Sequence, residues 1–107
     1  MTESEYHQLA DAALARIEAA LDESDADVDY DRPSGGMLEL RFGDKSVIVV
    51  NKQAPLCEIW VAARAGGFHY AYRDGQWIAN RDGGELFADL SRFASAQAGA
   101  PVVIRYE

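Results

Sequence analysis

The chain has 107 residues with 18 acidic and 10 basic side chains, a formal charge of −8. That length suits one domain, residues 1–107, able to bury a core without staples, and the single cysteine, Cys57, excludes an intrachain disulfide. Clustered Lys and Arg are missing, which excludes binding driven by phosphate neutralisation, so neither nucleic acid nor an anionic membrane is an expected partner. No apolar run is long enough to cross a bilayer, and the start, Met1-Thr-Glu-Ser-Glu, is acidic where targeting peptides are basic. Folded sequence is expected from the first residues, in a reducing, cytoplasmic setting.

The charge is unevenly placed. Glu3, Glu5, Asp11, Glu18, Asp22, Glu23, Asp25, Asp27, Asp29 and Asp31 face one cation, Arg16, giving −9 for the stretch up to Asp31 and +1 for the rest. Like charges packed together weaken a folded state, so the block implies a cation or basic partner that relieves the repulsion.

In chain order, Tyr6, Leu9, Ala10, Ala13, Leu14, Ile17, Ala20 and Leu21 fall at the 3.6-residue spacing of one helical face. Thr2 and Glu5 have the form of a capping box ahead of that helix. His7, Asp11, Glu18 and Asp22 form a polar stripe away from the core, and Asp22, Glu23 and Asp25 place negative charge at the negative end of the helix dipole. This is a local cost of the kind that marks function. Asp25, Asp27, Asp29 and Asp31 then alternate with Ala26, Val28 and Tyr30, so an extended chain would put the four carboxylates on one face roughly 7 Å apart. Such spacing is too wide for a tight cage. It suits weak, multiple sites for Fe(II), Mn(II), Ca(II) or Mg(II), each ion keeping most of its water. An EF-hand is excluded, because Tyr30 stands where the turn glycine belongs and Gly36 where the bidentate Glu belongs.

After Gly35-Gly36 come strand-length apolar or alternating runs: Met37–Phe42, Ser46–Val50, Leu56–Ala63, Phe68–Tyr72 and Gln76–Ala79. Turn-forming Gly43-Asp44, Gln53-Ala54-Pro55, Ala65-Gly66-Gly67 and Asp74-Gly75 separate them, and such short links imply an antiparallel meander. Leu86, Phe87, Leu90, Phe93, Ala94 and Gln97 mark a second helix closed by Gly99 and Pro101, with Val102–Ile104 as a short extended tail. Helix, five or six strands, helix is an α+β two-layer sandwich, with both helices on one face of the sheet and the other face open. Alternation along Glu58–Ala62 puts Trp60 on the open face, a better candidate for a partner hot spot than Trp77, which is expected in the core.

The string Asn51-Lys52-Gln53-Ala54-Pro55-Leu56-Cys57-Glu58-Ile59-Trp60, followed by Gly66-Gly67 and preceded by an acidic helix opening Ser4-Glu5-Tyr6-His7, resembles the frataxin family in its bacterial branch. The resemblance spans nearly the whole chain. It implies a non-catalytic, iron-binding accessory protein of iron-sulfur cluster assembly that docks on the cysteine desulfurase and modulates cluster formation with iron, a monomer in the absence of metal. Under that resemblance Glu18, Asp22, Glu23, Asp25, Asp27, Asp29 and Asp31, with His7 and Asp11 higher on the helix, hold weakly bound iron or other divalent cations. Glu18, Asp22, Glu23 and Asp25 also meet the desulfurase, while Asn51, Gln53 and Trp60 represent the other shared surface, the open sheet face; the iron-sulfur scaffold protein is a further implied partner. Ala19 and Cys57 depart from side chains found in relatives, Glu and His, and Cys57 inherits no metal or thiol role. Two other readings stand beside this one. A ferroxidase or iron store would need paired Glu-x-x-His motifs on facing helices, which two histidines cannot supply. An acidic protein-binding module with no metal role would need only the charge.

Overall fold

The computed structural model describes residues 1–106. Helix α1 runs Glu3–Glu23 and opens on the anticipated box: the Thr2 hydroxyl accepts from the Glu5 N–H at 3.0 Å, and the Glu5 carboxylate accepts from the Thr2 N–H at 2.9 Å. Its buried stripe is Tyr6, Ala10, Ala13, Leu14, Ile17, Ala20 and Leu21, and no basic residue occupies its last turn.

Six strands follow: β1 Val28–Ser34, β2 Met37–Phe42, β3 Val47–Gln53, β4 Glu58–Ala63, β5 Gly66–Arg73 and β6 Gln76–Ala79. Each pairs antiparallel with the next, in the order β1 to β6. Period-two alternation sends Leu38, Leu40, Ile48, Val50, Ile59, Val61, Tyr70, Trp77 and Ala79 to one face, where they are buried. At about 1.5–3 kcal/mol for each large aliphatic or aromatic side chain fully removed from water, this layer is the main source of cohesion. Trp77 lies in that core at 1% exposure.

Left-handed backbone shapes two of the links between strands in particular. Asp74-Gly75, with φ of 50° and 83°, joins β5 to β6, as expected for an Asp-Gly hairpin. Between β3 and β4 the chain makes a 3-10 turn, Ala54–Leu56, closed by Cys57 at φ 53°. Pairing therefore starts at Glu58 instead of Leu56, because the Cys57 N–H is spent on the Ala54 carbonyl. At the outer edge, β1 slips register between Asp31 and Ser34, where Pro33 cannot donate to a ladder; a bulge and a proline both blunt an edge strand.

Helix α2 spans Leu86–Ala98. Glu85 caps its start, accepting from the Phe87 and Ala88 N–H groups, and Gly99 ends it at φ 69°. The described residues beyond it, up to Tyr106, belong to neither helix nor sheet. Val102 and Ile104 are buried, and the Ser95 and Ser91 hydroxyls exchange hydrogen bonds with their backbone at 2.8–3.1 Å. The two buried polar side chains are both partnered. Asp89 accepts from the Tyr70 hydroxyl (2.7 Å) and Arg92 (2.9 Å), and Gln97 joins α2 to the Arg64 N–H and Ser46 hydroxyl at 3.0 Å each. Among the described residues no helix is long and apolar enough to cross a membrane.

Candidate acidic ridge and open sheet face

The polar stripe of α1 finds counter-charges on the strands and on the helix itself. Asp11 meets Lys52 of β3 at 2.6 Å, and that ammonium also lies 5.9 Å from the centre of the Tyr6 ring. Glu18 takes a two-pronged contact from Arg32 of β1, Nε to Oε2 at 2.8 Å and Nη2 to Oε1 at 3.4 Å. Asp22 accepts from the Tyr30 hydroxyl at 2.8 Å, and this bond to a carboxylate raises the phenol above its usual range. Glu23 lies 3.5 Å from Arg16. His7, one turn into the helix, packs edge-on against Tyr6 and lies 3.7 Å from Glu3. Fifteen residues of helix separate it from Asp22, roughly 22 Å at the standard rise, so His7 and the far end of the ridge cannot share an ion.

The four alternating aspartates do not share one face. Only Asp29 and Asp31 lie within β1, opposite Arg41 and Glu39, and their direction is the open side of the sheet. Asp31 is 3.3 Å from Arg41, which Glu39 also holds at 2.7 Å. Before the strand the chain bends at Ala26–Asp27: the Ser24 hydroxyl accepts from the Ala26 N–H at 3.1 Å and the Ala26 carbonyl from the Val28 N–H at 2.9 Å. Asp27 is thereby carried against Gly43, and Asp25 back beside α1, where it lines a cleft of about 520 Å³ with Arg16, Glu23 and Arg105. The extended geometry fails here because Ala26 and Val28 pack against the core and pull the backbone round.

Asp25, Asp27 and Asp29 are consequently the ridge carboxylates that are exposed and make no salt bridge or side-chain hydrogen bond among the described residues. Nowhere among those residues do three His, Cys, Asp or Glu side chains gather as a metal-holding group. The donor set fits an ion held by one or two carboxylates and largely hydrated, and does not fit a closed coordination cage.

On the open face, Asn51 stands opposite Trp60 and Gln53 opposite Glu58, so the three expected partner residues share one side of adjacent strands. Trp60 is half-buried instead of fully exposed. Its ring stacks on His69 at 4.1 Å and 9°, and its indole N–H donates to Glu58 at 2.8 Å, a carboxylate that also accepts from Asn80 at 2.7 Å. Glu58 and His69 thus fix the indole; alternation puts Glu58, Trp60 and His69 on one face, but the register that sets His69 opposite Trp60 belongs to the folded sheet. Met37, Val49 and Ala62 complete an apolar hollow of about 280 Å³ beside it.

A six-strand meander with two helices on one face, an acid-rich edge and an open aromatic face defines an α+β sandwich whose distinctive chemistry lies on its surfaces. The frataxin-like domain model matches residues 1–100, and the chain belongs to that family. A relative from Polaromonas sp. (strain JS666), named iron-sulfur cluster assembly protein CyaY, is 52% identical over 107 residues, covering 96% of this chain and 91% of its own. The protein of the same name from Paraburkholderia xenovorans (strain LB400) is 54% identical over 102 residues, covering 95% and 96%. Among solved structures, frataxin from Psychromonas ingrahamii is similar at 39% identity with a TM-score of 0.92, over 98% of this chain and 99% of that one. Yeast frataxin, at 24% identity and a TM-score of 0.69 over 90% and 82%, shares the fold.

Proposed function

We propose that the protein is a non-catalytic accessory protein of iron-sulfur cluster assembly, which docks through its acidic ridge on a basic surface of the cysteine desulfurase and modulates cluster formation in response to Fe(II). The observation that carries this reading is the run Asp25, Asp27 and Asp29, exposed and without ion-pair partners, beside ridge carboxylates that are already neutralised from within. The names and high identity of the relatives supply the pathway.

Unsatisfied carboxylates attract either a divalent cation or the lysines and arginines of a partner. The two ligands compete for the same charge: the ridge's attraction for a basic surface falls when a cation is held there. Because the donors are spread, the metal site is weak and responsive to iron concentration over a range where a cage would be saturated. The open face, with Trp60 held by Glu58 and His69, offers a second contact, suited to the iron-sulfur scaffold protein.

That no three metal-ligating side chains gather among the described residues favours a second reading, an acidic docking module whose charge serves protein contact alone. Anaerobic titration of Fe(II) into isotope-labelled protein, with Mg(II) as control, separates the two. Amide broadening by Fe(II) confined to residues 18–31 and persisting in excess Mg(II) is the expected result. Diffuse broadening that excess Mg(II) removes would leave the docking module.

A further inference from the structure

Within the ridge, Arg32 and Glu18 stand apart from the other ion pairs. Both side chains are about three-quarters covered, at 29% and 25% exposure. The guanidinium engages both carboxylate oxygens, the bidentate geometry in which its planar fork matches a carboxylate, and its third arm donates to the Gly35 carbonyl at 3.3 Å. The pair ties the β1 bulge to the C-terminal part of α1. Arg32 is thus a cation already seated on the ridge.

From this geometry we infer that Arg32 is a resident counter-cation that withholds Glu18 from external ligands, so that an incoming divalent cation is confined to Asp25, Asp27 and Asp29 unless Arg32 is displaced. The inference rests on the reading of the ridge as a cation-binding surface and adds the residue that sets its capacity. Using Glu18 requires breaking a two-pronged contact, whereas using Asp25, Asp27 or Asp29 breaks none. A partly exposed pair of this kind weakens a competing cation by a factor of about 1.5 to 5, judged from measured surface pairs. Tyr30 acts in the same sense on Asp22, with a neutral donor and therefore less strongly.

The test is a double-mutant cycle with Mn(II) as probe, read by calorimetric affinity and by paramagnetic broadening of amides in the wild type, Arg32→Gln, Glu18→Gln and the double variant, each checked for fold by its thermal midpoint. Arg32→Gln is expected to bind Mn(II) about 1.5- to 5-fold more tightly, with broadening spreading to Glu18, and this gain should vanish in the Glu18→Gln background. Arg32→Lys preserves the net charge but loses the fork, so a smaller gain is expected there, free of any change in overall charge. If Arg32→Gln strengthens binding equally in both backgrounds, the effect is net charge and the inference is overturned. No gain in a folded Arg32→Gln variant overturns it as well, while the wild type's own broadening at residues 25–29 still stands. Absence of localised broadening in every variant would overturn this inference and the cation-binding reading together.

Discussion

Reversing the three unpaired carboxylates, Asp25, Asp27 and Asp29 to Lys, separates docking from folding. Each change shifts the charge by two units, so the formal charge moves from −8 to −2. An exposed ion pair contributes about 0.2–1 kcal/mol, so losing three costs about 0.6–3 kcal/mol of docking energy, and the new like-charge contacts roughly double that. A loss of ~1.4 kcal/mol is already tenfold in affinity. The desulfurase complex is therefore expected to weaken by about eightfold or more at low salt, by titration calorimetry. Wild-type affinity should fall steeply between about 50 and 300 mM salt, since exposed charges are screened within roughly 10 Å at 0.1 M, and the reversed variant should lose that dependence. Folding should not suffer. None of the three side chains makes a salt bridge or hydrogen bond among the described residues, and a Lys at position 25 lies at the end of α1 where a cation suits the dipole. A variant with an unchanged thermal midpoint and unchanged affinity would refute the assignment of the ridge as the docking surface.

Trp60→Ala should lower affinity for a partner on the open face by about 2 kcal/mol or more if the fixed indole is a hot spot, with the stability cost of losing its stack on His69 and its bond to Glu58 read separately from the thermal midpoint; unaltered binding of both desulfurase and scaffold would remove that face from the docking surfaces. Tyr70→Phe tests the buried Tyr70–Asp89 contact and should cost about 1–3 kcal/mol in urea denaturation at neutral pH. Burial first, and the hydrogen bond to Asp89 second, push the Tyr70 phenol well above its normal range. The folded state therefore keeps the proton longer than the unfolded chain, so this contribution is complete below about pH 10 and is lost as pH rises above it. The variant should show a shallower alkaline loss of stability than the wild type. A parallel slope would place the alkaline titration at Tyr6, Tyr30 or Tyr72, which are shifted in the same direction.

What the sequence determined by itself is whatever depends on neighbours a few residues apart. The apolar stripe of α1, the Thr2–Glu5 box, the Asp74-Gly75 turn and the inward placement of Trp77 all follow from local periodicity or local hydrogen bonding, and all stand in the structure. The choice between five and six strands, the late start of β4 after Cys57 and the bend at Ala26–Asp27 were decided by competition between local pattern and core packing. Charge shows the contrast most clearly. Counting residues located the acidic block, but not which members of it are free. Lys52 neutralises Asp11 across 41 residues and Arg32 neutralises Glu18 across 14, while Arg41 reaches Asp31 only because β1 and β2 pair in one particular register. Electrostatic partners are set by distance in space, and that distance exists only once the sheet has fixed its register and the helix has been laid against its face.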